Sequence, residues 1–328
     1  MKARVNNRGG SRRLRSLVAL TAICAIAAVS CASVETTSPP EIDVPLPIPQ
    51  GADFSPELGE PPTEDDPCGA RESFSPSSGL TAGDARSALI RDNTLTVGVD
   101  QTTYLMGFRD PETGSLEGFD IEIARAIADD IMGHRDNITF VTMTSDERES
   151  ALQNGEVDIV VRTMTMNCAR WENVLFSSEY FTAGQQLLVT RDSGIEDLSD
   201  LTNDHRVCSS PGSTSIDRLG ATNAQPVAAP DWGDCMFMVQ QGMVDAITTD
   251  NTILAGMAIQ DPYLEVVGEP FSDEPYGVAV AQGNEDLVRY INGILEDMRD
   301  DGTWDDIYDE WLAEALGPAQ APQPQYRD

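Results

Sequence analysis

Short apolar segments alternate with amphipathic helical segments through the middle of the chain, and this order most restricts its fold. Segments 94–99, 138–143 and 157–161 are rich in Val, Ile and Leu, and we predict that they are buried strands. Segment 119–132 carries apolar side chains at four-residue spacing, which is typical of an amphipathic helix. Strands that alternate with helices form mostly parallel sheets flanked by helices. The chain is therefore predicted to have an α/β fold.

A second set of strands follows the first along the chain. Segments 184–189, 206–209 and 244–250 predict three more strands, and segment 276–280 predicts a strand that returns to the first set. Two α/β lobes joined by two extended crossings make a cleft with a hinge, as in binding proteins that close on a ligand. We expect residues 86–187 plus 278–316 to form the first lobe and residues 188–277 the second.

The first thirty residues predict an export signal. Six basic residues precede an apolar stretch, Leu17 to Val29, that is too short to span a bilayer permanently. It leads into Ala28-Val29-Ser30-Cys31, which resembles the lipobox of bacterial lipoproteins, although Ala28 replaces the usual leucine. The resemblance implies that residues 1–30 are removed and that Cys31 carries a lipid at the outer face of the cytoplasmic membrane. An ordinary cleaved secretory signal is the alternative.

The segments on either side of the globular region are rich in proline. Ten of the twenty prolines lie in residues 32–85, and three more lie in residues 317–328. Such composition favours extended or disordered chain. We therefore predict that residues 31–85 form a tether, flexible near Cys31 and ordered near Cys68, and that residues 317–328 form a disordered tail.

The charge of the chain is strongly negative, which excludes one class of partner. Removal of the leader takes away six of the 21 basic residues and none of the 55 acidic ones, so the net charge is near −40. Nucleic acid requires basic surface to neutralise its phosphates. We therefore predict no nucleic-acid partner and interpret the acidic residues as a solvated, repulsive surface.

The cysteines predict two disulfides. Cys24 leaves with the leader and Cys31 is the lipid acceptor, so four thiols remain in an exported protein: Cys68, Cys168, Cys208 and Cys235. Three pairings are possible. Of these we favour Cys208 with Cys235, within one lobe, and Cys68 with Cys168, which would tie the N-terminal segment to the other lobe. The absence of a C-x-x-C motif and the presence of two histidines alone argue against a metal site, and no cofactor is expected.

A series of short motifs occurs in a fixed order over residues 94–316. The motifs include Leu95-Thr96-Val97-Gly98-Val99-Asp100, Gly118-Phe119-Asp120, Leu152-Gln153-Asn154-Gly155, Met164-Thr165 with Arg170, Gly242-Met243-Val244-Asp245 with Asp250, Tyr276-Gly277 and Asp301-Gly302-Thr303-Trp304. The series resembles the family 3 solute-binding proteins of ABC transporters, which bind polar amino acids. This resemblance implies the two-lobed periplasmic-binding-protein fold of type II, with the ligand in the cleft.

The same resemblance implies the residues that contact the ligand. An amino acid presents a carboxylate and an ammonium on one carbon, so its site needs a cation and an anion that face each other. Arg170 falls at the carboxylate-binding arginine of the family, and Asp250 at the aspartate that binds the ammonium. A surface ion pair is the alternative for Arg170, and a strand-end turn for Asp250. Further contacts are implied for four other residues: Thr163, Thr165, Ser213 and Thr214.

Several positions depart from the family pattern and bear on ligand choice. Tyr104 takes the place of an aromatic residue that covers the ligand, and Ser210 replaces a lysine. Arg162 stands where relatives carry a small residue, one position before Thr163. It would either meet a side-chain carboxylate or amide of the ligand, or point outward and pair with a surface acid. Asp100 would by itself favour a basic ligand, but Arg162 argues against one.

Together these features predict an exported, lipid-anchored, monomeric protein that binds a free L-amino acid. The expected ligands are glutamate and aspartate, then glutamine and asparagine, delivered to an ABC permease by closure of the cleft. The alternative is that the loaded form reports to a membrane sensor. An enzyme related to dehydratases is a remote alternative. We expect no catalytic residue, because the sequence contains no G-x-S-x-G, H-E-x-x-H or P-loop motif.

Overall fold

The computed structural model describes residues 47–62, 67–91 and 93–328. The leader and Cys31 lie outside these residues. The strands of the described residues are β1 Glu72–Ser73, β2 Leu95–Val99, β3 Thr102–Thr103, β4 Gly107–Arg109, β5 Leu116–Glu117, β6 Ile138–Thr142, β7 Ile159–Val160, β8 Val174–Phe176, β9 Phe181–Ala183, β10 Gln185–Thr190, β11 Arg206–Ser209, β12 Gln225–Ala228, β13 Ala246–Asp250, β14 Leu264–Val267, β15 Glu274–Tyr276, β16 Ala279–Ala281 and β17 Gln325–Tyr326.

The helices lie mostly between strands, in the predicted alternation. They are α1 Ala82–Ser87, α2 Phe119–Met132, α3 Arg148–Gln153, α4 Cys168–Trp171, α5 Thr214–Arg218, α6 Trp232–Gln240, α7 Asn251–Gln260, α8 Glu285–Asp301, α9 Thr303–Trp311 and α10 Ala313–Leu316. Within the described part of the chain, no helix combines the length and apolar character needed to cross a membrane.

The first sheet has the strand order β6-β2-β7-β16-β8. Strand β2 is buried along its whole length and pairs in parallel with β6 and β7, whereas β16 runs antiparallel to β7 and β8. Helix α2 packs Ile123 and Ile127 into the core of this sheet, as the four-residue spacing predicts. It starts after Gly118, where a side chain would collide with the Met106 carbonyl, and it ends at Gly133 in the left-handed conformation.

The second sheet has the order β12-β11-β13-β10-β14. Strands β11, β12 and β13 are parallel, and β10 runs antiparallel to both β13 and β14. A separate core lies against this sheet and includes Trp232, Met238, Ile247 and Leu254. The two sheets are the centres of two lobes, so the predicted two-lobed α/β architecture is confirmed.

Two short strands carry the chain between the lobes. Strand β9 follows the first sheet, β15 follows the second, and the two pair antiparallel with Tyr276 opposite Phe181. This two-stranded ribbon forms the pair of crossings that a hinge requires. The predicted limit of the second lobe at residue 188 falls inside β10, which begins at Gln185 and belongs wholly to the second sheet.

The N-terminal segment is attached to both lobes over its described part: it is ordered near Cys68, as predicted, and also over residues 47–62. Asp53 forms a two-bond antiparallel bridge with Ala228 at the edge of the second sheet, and the Gly59 amide donates to Asp217 at 2.7 Å. Further along, Ser73 is buried and donates to the Phe176 carbonyl of the first sheet. The two favoured disulfides are present, Cys68 with Cys168 and Cys208 with Cys235. Residues 47–62 and 67–85 therefore lie against the two lobes, because backbone pairing and one disulfide hold them there.

The C-terminal tail, predicted to be disordered, is ordered in the structure. Strand β17 pairs in parallel with β1. The Arg327 guanidinium lies 4.4 Å from the ring centroid of Trp171, and Asp328 forms an ion pair with Arg289. The prediction from proline content was wrong because the last residues supply a strand and two charged side chains that find partners on the first lobe.

Candidate ligand-binding site

A small polar cavity lies between the carboxyl ends of strands from both sheets. Its volume is about 10 Å³, close to the space of a single water. The first lobe contributes Ser145, Arg148, Thr163, Thr165 and Arg170, and the second contributes Ser213, Thr214, Ser215, Trp232, Thr249, Asp250 and Ile253. Six of the residues predicted to bind the ligand, Arg170, Thr163, Thr165, Asp250, Ser213 and Thr214, are thus brought together.

Arg170 reaches the cavity from the short helix α4. Asn167 caps this helix by accepting a hydrogen bond from the Arg170 amide. The Arg170 guanidinium donates to the Thr165 carbonyl at 2.6 Å and to the Gly212 carbonyl of the second lobe at 2.9 Å. Glu149, which is half-buried, lies 3.7 Å from Arg170 Nε. Burial lowers the pKa of Arg170, and the nearby Glu149 opposes that shift. The guanidinium is therefore a buried cation of the cavity wall.

Thr163 and Thr165 lie two positions apart on the segment that follows β7. Thr163 has a φ of +39°, a left-handed conformation that is strained for a β-branched residue. The buried Asp120 carboxylate holds this conformation by accepting from the Thr163 amide at 2.8 Å. Thr165 instead donates its hydroxyl to Glu274 at 2.8 Å. Burial raises the pKa of Asp120 to about 7.

Asp250 ends β13 on the opposite wall of the cavity. Tyr276 donates to its Oδ2 atom at 2.6 Å. Its Oδ1 atom is buried and has no hydrogen-bond partner among the described residues. Burial, and next the negative charge of Glu274, raise the pKa of Asp250 to about 7. A buried carboxylate oxygen without a donor is costly, so this atom is suited to a cationic ligand group.

Ser213 and Thr214 begin helix α5, as predicted. Ser213 accepts from the Ile216 amide and donates to the Ser210 carbonyl, so its hydroxyl is occupied by the helix cap. Thr214 donates its hydroxyl to Glu274 at 2.8 Å. Both residues line the cavity.

Neither predicted role of Arg162 fits the structure. The side chain is fully buried, and it lies behind the cavity wall. It donates to the Met143 carbonyl at 2.8 Å and to Ser145 Oγ at 2.7 Å, and its Nη2 lies 2.7 Å from Asp100 Oδ2. Arg162 and Asp100 are therefore a buried ion pair, because β2 and β7 are neighbours and their ends meet.

Tyr104 and Ser210 also lie away from the cavity lining. The Tyr104 ring packs edge to face against Phe108 at 4.9 Å. Ser210 donates to the Pro230 carbonyl at 3.0 Å. These two predicted contacts, like those of Asp100 and Arg162, are absent from the cavity wall that the structure describes.

Arg148 is the main residue of the cavity that the sequence did not reveal. It starts helix α3 and donates to the carbonyls of Ser145, Arg162, Thr163 and Gly212, at distances of 2.8, 3.1, 3.3 and 3.0 Å. Among the described residues around the site, three arginines form ion pairs: Arg162, Arg170 and Arg218. Arg148 forms no ion pair with these described residues. Burial and then the positive charge of Arg170 lower the pKa of Arg148.

Trp232 is the second residue of the lining that was missed. It begins helix α6, it is 2% exposed, and its indole Nε1 is buried without an acceptor among the described residues. It belongs to none of the sequence motifs given above. A buried donor beside the cavity is suited to an oxygen atom of a ligand.

Comparison with known proteins gives consistent matches. Residues 95–314 match the family described as bacterial extracellular solute-binding proteins, family 3. The chain is 38% identical over 249 residues to the ABC transporter glutamine-binding protein GlnH of Bacillus subtilis (strain 168), a match that covers 75% of this chain and 91% of that protein. It is 34% identical over 247 residues to the glutamate-binding protein GluB of Corynebacterium glutamicum, a match that covers 71% and 83% of the two chains.

Solved structures give a similar result. An ancestral arginine-binding protein bound to arginine is 38% identical with a TM-score of 0.62, and the match covers 67% of this chain and 98% of that one. An ancestral amino acid-binding protein, AncCDT-1, a precursor of cyclohexadienyl dehydratase, is 32% identical with a TM-score of 0.64, and the match covers 69% and 99%. The names of these proteins mention different ligands, so the ligand must be argued from the residues of the site.

Proposed function

The chain belongs to the bacterial extracellular solute-binding proteins of family 3, and we propose that it captures a free L-amino acid between its lobes. The observation that carries the proposal is the buried Oδ1 of Asp250, which has no hydrogen-bond partner among residues 47–62, 67–91 and 93–328, while Asp250 lines the same cavity as the buried Arg170. Asp250 would accept a hydrogen bond from the ammonium. Arg170 would bind the α-carboxylate with two parallel hydrogen bonds.

Entry of a ligand requires the lobes to move apart, because the cavity is far smaller than an amino acid. The Gly212 carbonyl of the second lobe accepts from Arg148 and Arg170 of the first. Separation of the lobes would free a donor on each guanidinium, and the ligand's carboxylate oxygens would then replace this carbonyl. Closure follows if the ligand binds the closed arrangement more tightly than the open one.

The charges of the cavity favour an acidic ligand. Its lining carries two guanidinium groups, Arg148 and Arg170, and one carboxylate, Asp250. Glutamate or aspartate brings two carboxylates and one ammonium, which match these three groups in sign. A side-chain amide would give Arg148 a weaker, neutral acceptor. Trp232 Nε1 offers a further donor to a side-chain oxygen. We therefore propose glutamate or aspartate first, then glutamine or asparagine.

Calorimetric titration of the purified mature protein with each of the common amino acids tests this proposal. Tightest binding of an acidic amino acid is the expected result. Tightest binding of lysine, arginine or histidine would overturn the ligand class, and binding of none would overturn the proposed function itself.

Arg148→Gln is expected to weaken glutamate binding about tenfold more than glutamine binding, because it removes a charge-assisted hydrogen bond to the side-chain carboxylate. The measurement is calorimetry with both ligands. Arg125→Gln is the matched control, since Arg125 pairs with Glu122 away from the cavity. Equal losses for the two ligands would contradict the role of Arg148.

Glutamate binding is expected to weaken about tenfold for each pH unit below about 7. Burial in the closed, ligand-free arrangement raises the pKa of Asp250 to about 7, so this carboxyl group is protonated there at lower pH. The ammonium of the ligand favours the charged carboxylate, so binding below that pH must release a proton and above it need not. Titrations at several pH values measure this slope. The Asp250→Asn variant should lose this pH dependence of glutamate affinity. A pH dependence that remained in the variant would have to come from another titratable group.

Delivery to an ABC permease is the proposed outcome of binding, from a monomeric protein anchored by a lipid on Cys31. The relative GlnH carries the name of an ABC transporter protein, which supports this outcome. The alternative is that the loaded form docks on a membrane sensor. Affinity capture from membranes with and without ligand distinguishes the two, because recovery of a sensor without a permease would favour signalling.

We also propose that the protein binds its ligand without converting it chemically. No residue of the cavity is a nucleophile paired with a general base: its titratable groups are two arginines and one aspartate. The remote alternative is a dehydratase, in view of the ancestral precursor named above. Conversion of a cyclohexadienyl substrate by the purified protein would establish that activity.

A further inference from the structure

Glu274 occupies a central place between the lobes. It lies on β15, one of the two crossing strands, and it is fully buried. Its carboxylate accepts four hydrogen bonds that reach it from three parts of the chain. Oε2 accepts from the hydroxyls of Thr165 and Thr214, each at 2.8 Å. Oε1 accepts from Arg218 at 2.6 Å and from Ser272 at 2.7 Å.

The carboxylate of Glu274 determines how the two threonines face the cavity. Glu274 forms an ion pair with the Arg218 guanidinium at 2.6 Å, and a carboxylate accepts hydrogen bonds and donates none. Each threonine hydroxyl has one proton, and that proton points to Glu274. Toward a ligand, Thr165 Oγ1 and Thr214 Oγ1 can therefore only accept a hydrogen bond.

Three residues of the cavity lining, Thr165, Thr214 and Asp250, therefore carry a side-chain oxygen with free capacity to accept a hydrogen bond. A ligand ammonium carries three protons, one for each acceptor. A hydroxyl in the same place carries one proton, so it leaves acceptors without donors, which is costly in a buried site. The arrangement selects for an amine.

We propose that Glu274 is a positioning residue that makes the site selective for an ammonium group by fixing both threonine hydroxyls as acceptors. This inference rests on the proposed amino-acid binding. Thr165 belongs to the first lobe and Thr214 to the second, and both reach the same Glu274 oxygen. Recognition of the ammonium is thereby tied to closure, since the two hydroxyls are oriented together when the lobes meet at the crossing.

The test compares L-glutamate with (S)-2-hydroxyglutarate, which has the same skeleton and a hydroxyl in place of the ammonium. Calorimetry gives the ratio of the two affinities in the wild type and in Glu274→Gln. The Arg218 donor holds the amide oxygen on its own side, so the amide nitrogen faces the two threonines and donates to them, and their protons can turn toward the ligand. The ratio is expected to fall about tenfold or more in the variant. Losses of equal size for both ligands, or an unchanged ratio, would overturn the inference.

Glu179→Gln is the matched control. Glu179 is a buried carboxylate beside β9 that accepts from Thr182, and it does not line the cavity. Its replacement should leave the ratio unchanged. If Glu274→Gln does not fold, Thr214→Val removes one of the acceptors directly and should lower the ratio in the same direction.

The outcomes separate this inference from the proposed function. Glutamate binding by the wild type with no change of ratio in the variants overturns the role of Glu274 alone. Failure of the wild type to bind any amino acid overturns both.

Discussion

Replacement of Arg162 with methionine is expected to lower the free energy of unfolding by about 3–5 kcal/mol. The side chain is fully buried, its Nη2 lies 2.7 Å from Asp100, and it donates to Met143 and Ser145. Its removal leaves the Asp100 carboxylate buried without its cation. Urea denaturation of the two proteins measures the difference.

The same variant tests whether Arg162 contacts the ligand. Arg162 lies behind the cavity wall, so the ratio of glutamate to glutamine affinity should stay unchanged in protein that remains folded. The double variant Arg162→Met with Asp100→Leu should recover part of the lost stability, because a buried pair can be replaced by apolar side chains at little cost. A selective loss of glutamate binding would instead favour the ligand role that was one of the two alternatives for Arg162.

Arg170→Ala is expected to reduce the affinity for the amino acid by about 2–4 kcal/mol. The guanidinium is buried, and its two Nη atoms already donate to carbonyl oxygens at the cavity. In the complex these donors would bind the α-carboxylate, which every amino acid ligand shares. The loss should therefore be similar for glutamate and glutamine, in contrast to Arg148→Gln. Calorimetry with both ligands measures it.

Arg170→Lys is the informative control for this prediction. Lysine keeps the charge but lacks the planar pair of donors. The affinity of the Arg170→Lys variant for the amino acid should therefore lie between those of the wild type and the alanine variant. An alanine variant that binds as tightly as the wild type, with unchanged stability, would show that another group holds the α-carboxylate.

The sequence predicts the parts of the site that depend on strand order. Thr165 follows β7 of the first sheet and Asp250 ends β13 of the second, and α/β sheets bind their ligands outside the carboxyl ends of the strands. Their shared cavity follows from that rule together with the family motifs. Glu274 was not predicted, because its importance comes from partners on α5 and on the segment after β7 that are far away in the sequence.

Two arginines show where sequence reasoning fails: Arg148 was not singled out, and Arg162 was given two alternative roles. Arg148 lies in Asp146-Glu147-Arg148-Glu149, which resembles a solvated charged segment, yet it is 3% exposed. Arg162 follows a strand and looked free to turn either way. Its direction is set by Asp100, at the end of the neighbouring strand, and that contact exists only in the folded chain. Local composition indicates how polar a segment is, but tertiary partners decide which side chains are buried.

The N-terminal segment also limits how far the two lobes can move apart. It is fixed to the second lobe through Asp53 and Gly59, and to the first through the disulfide of Cys68 with Cys168. Pro62, which accepts from Arg218, is six positions before Cys68. Six residues of chain span at most about 20–22 Å. While these attachments hold, the points they join on the two lobes cannot separate beyond that length, so the segment acts as a built-in stop on the hinge.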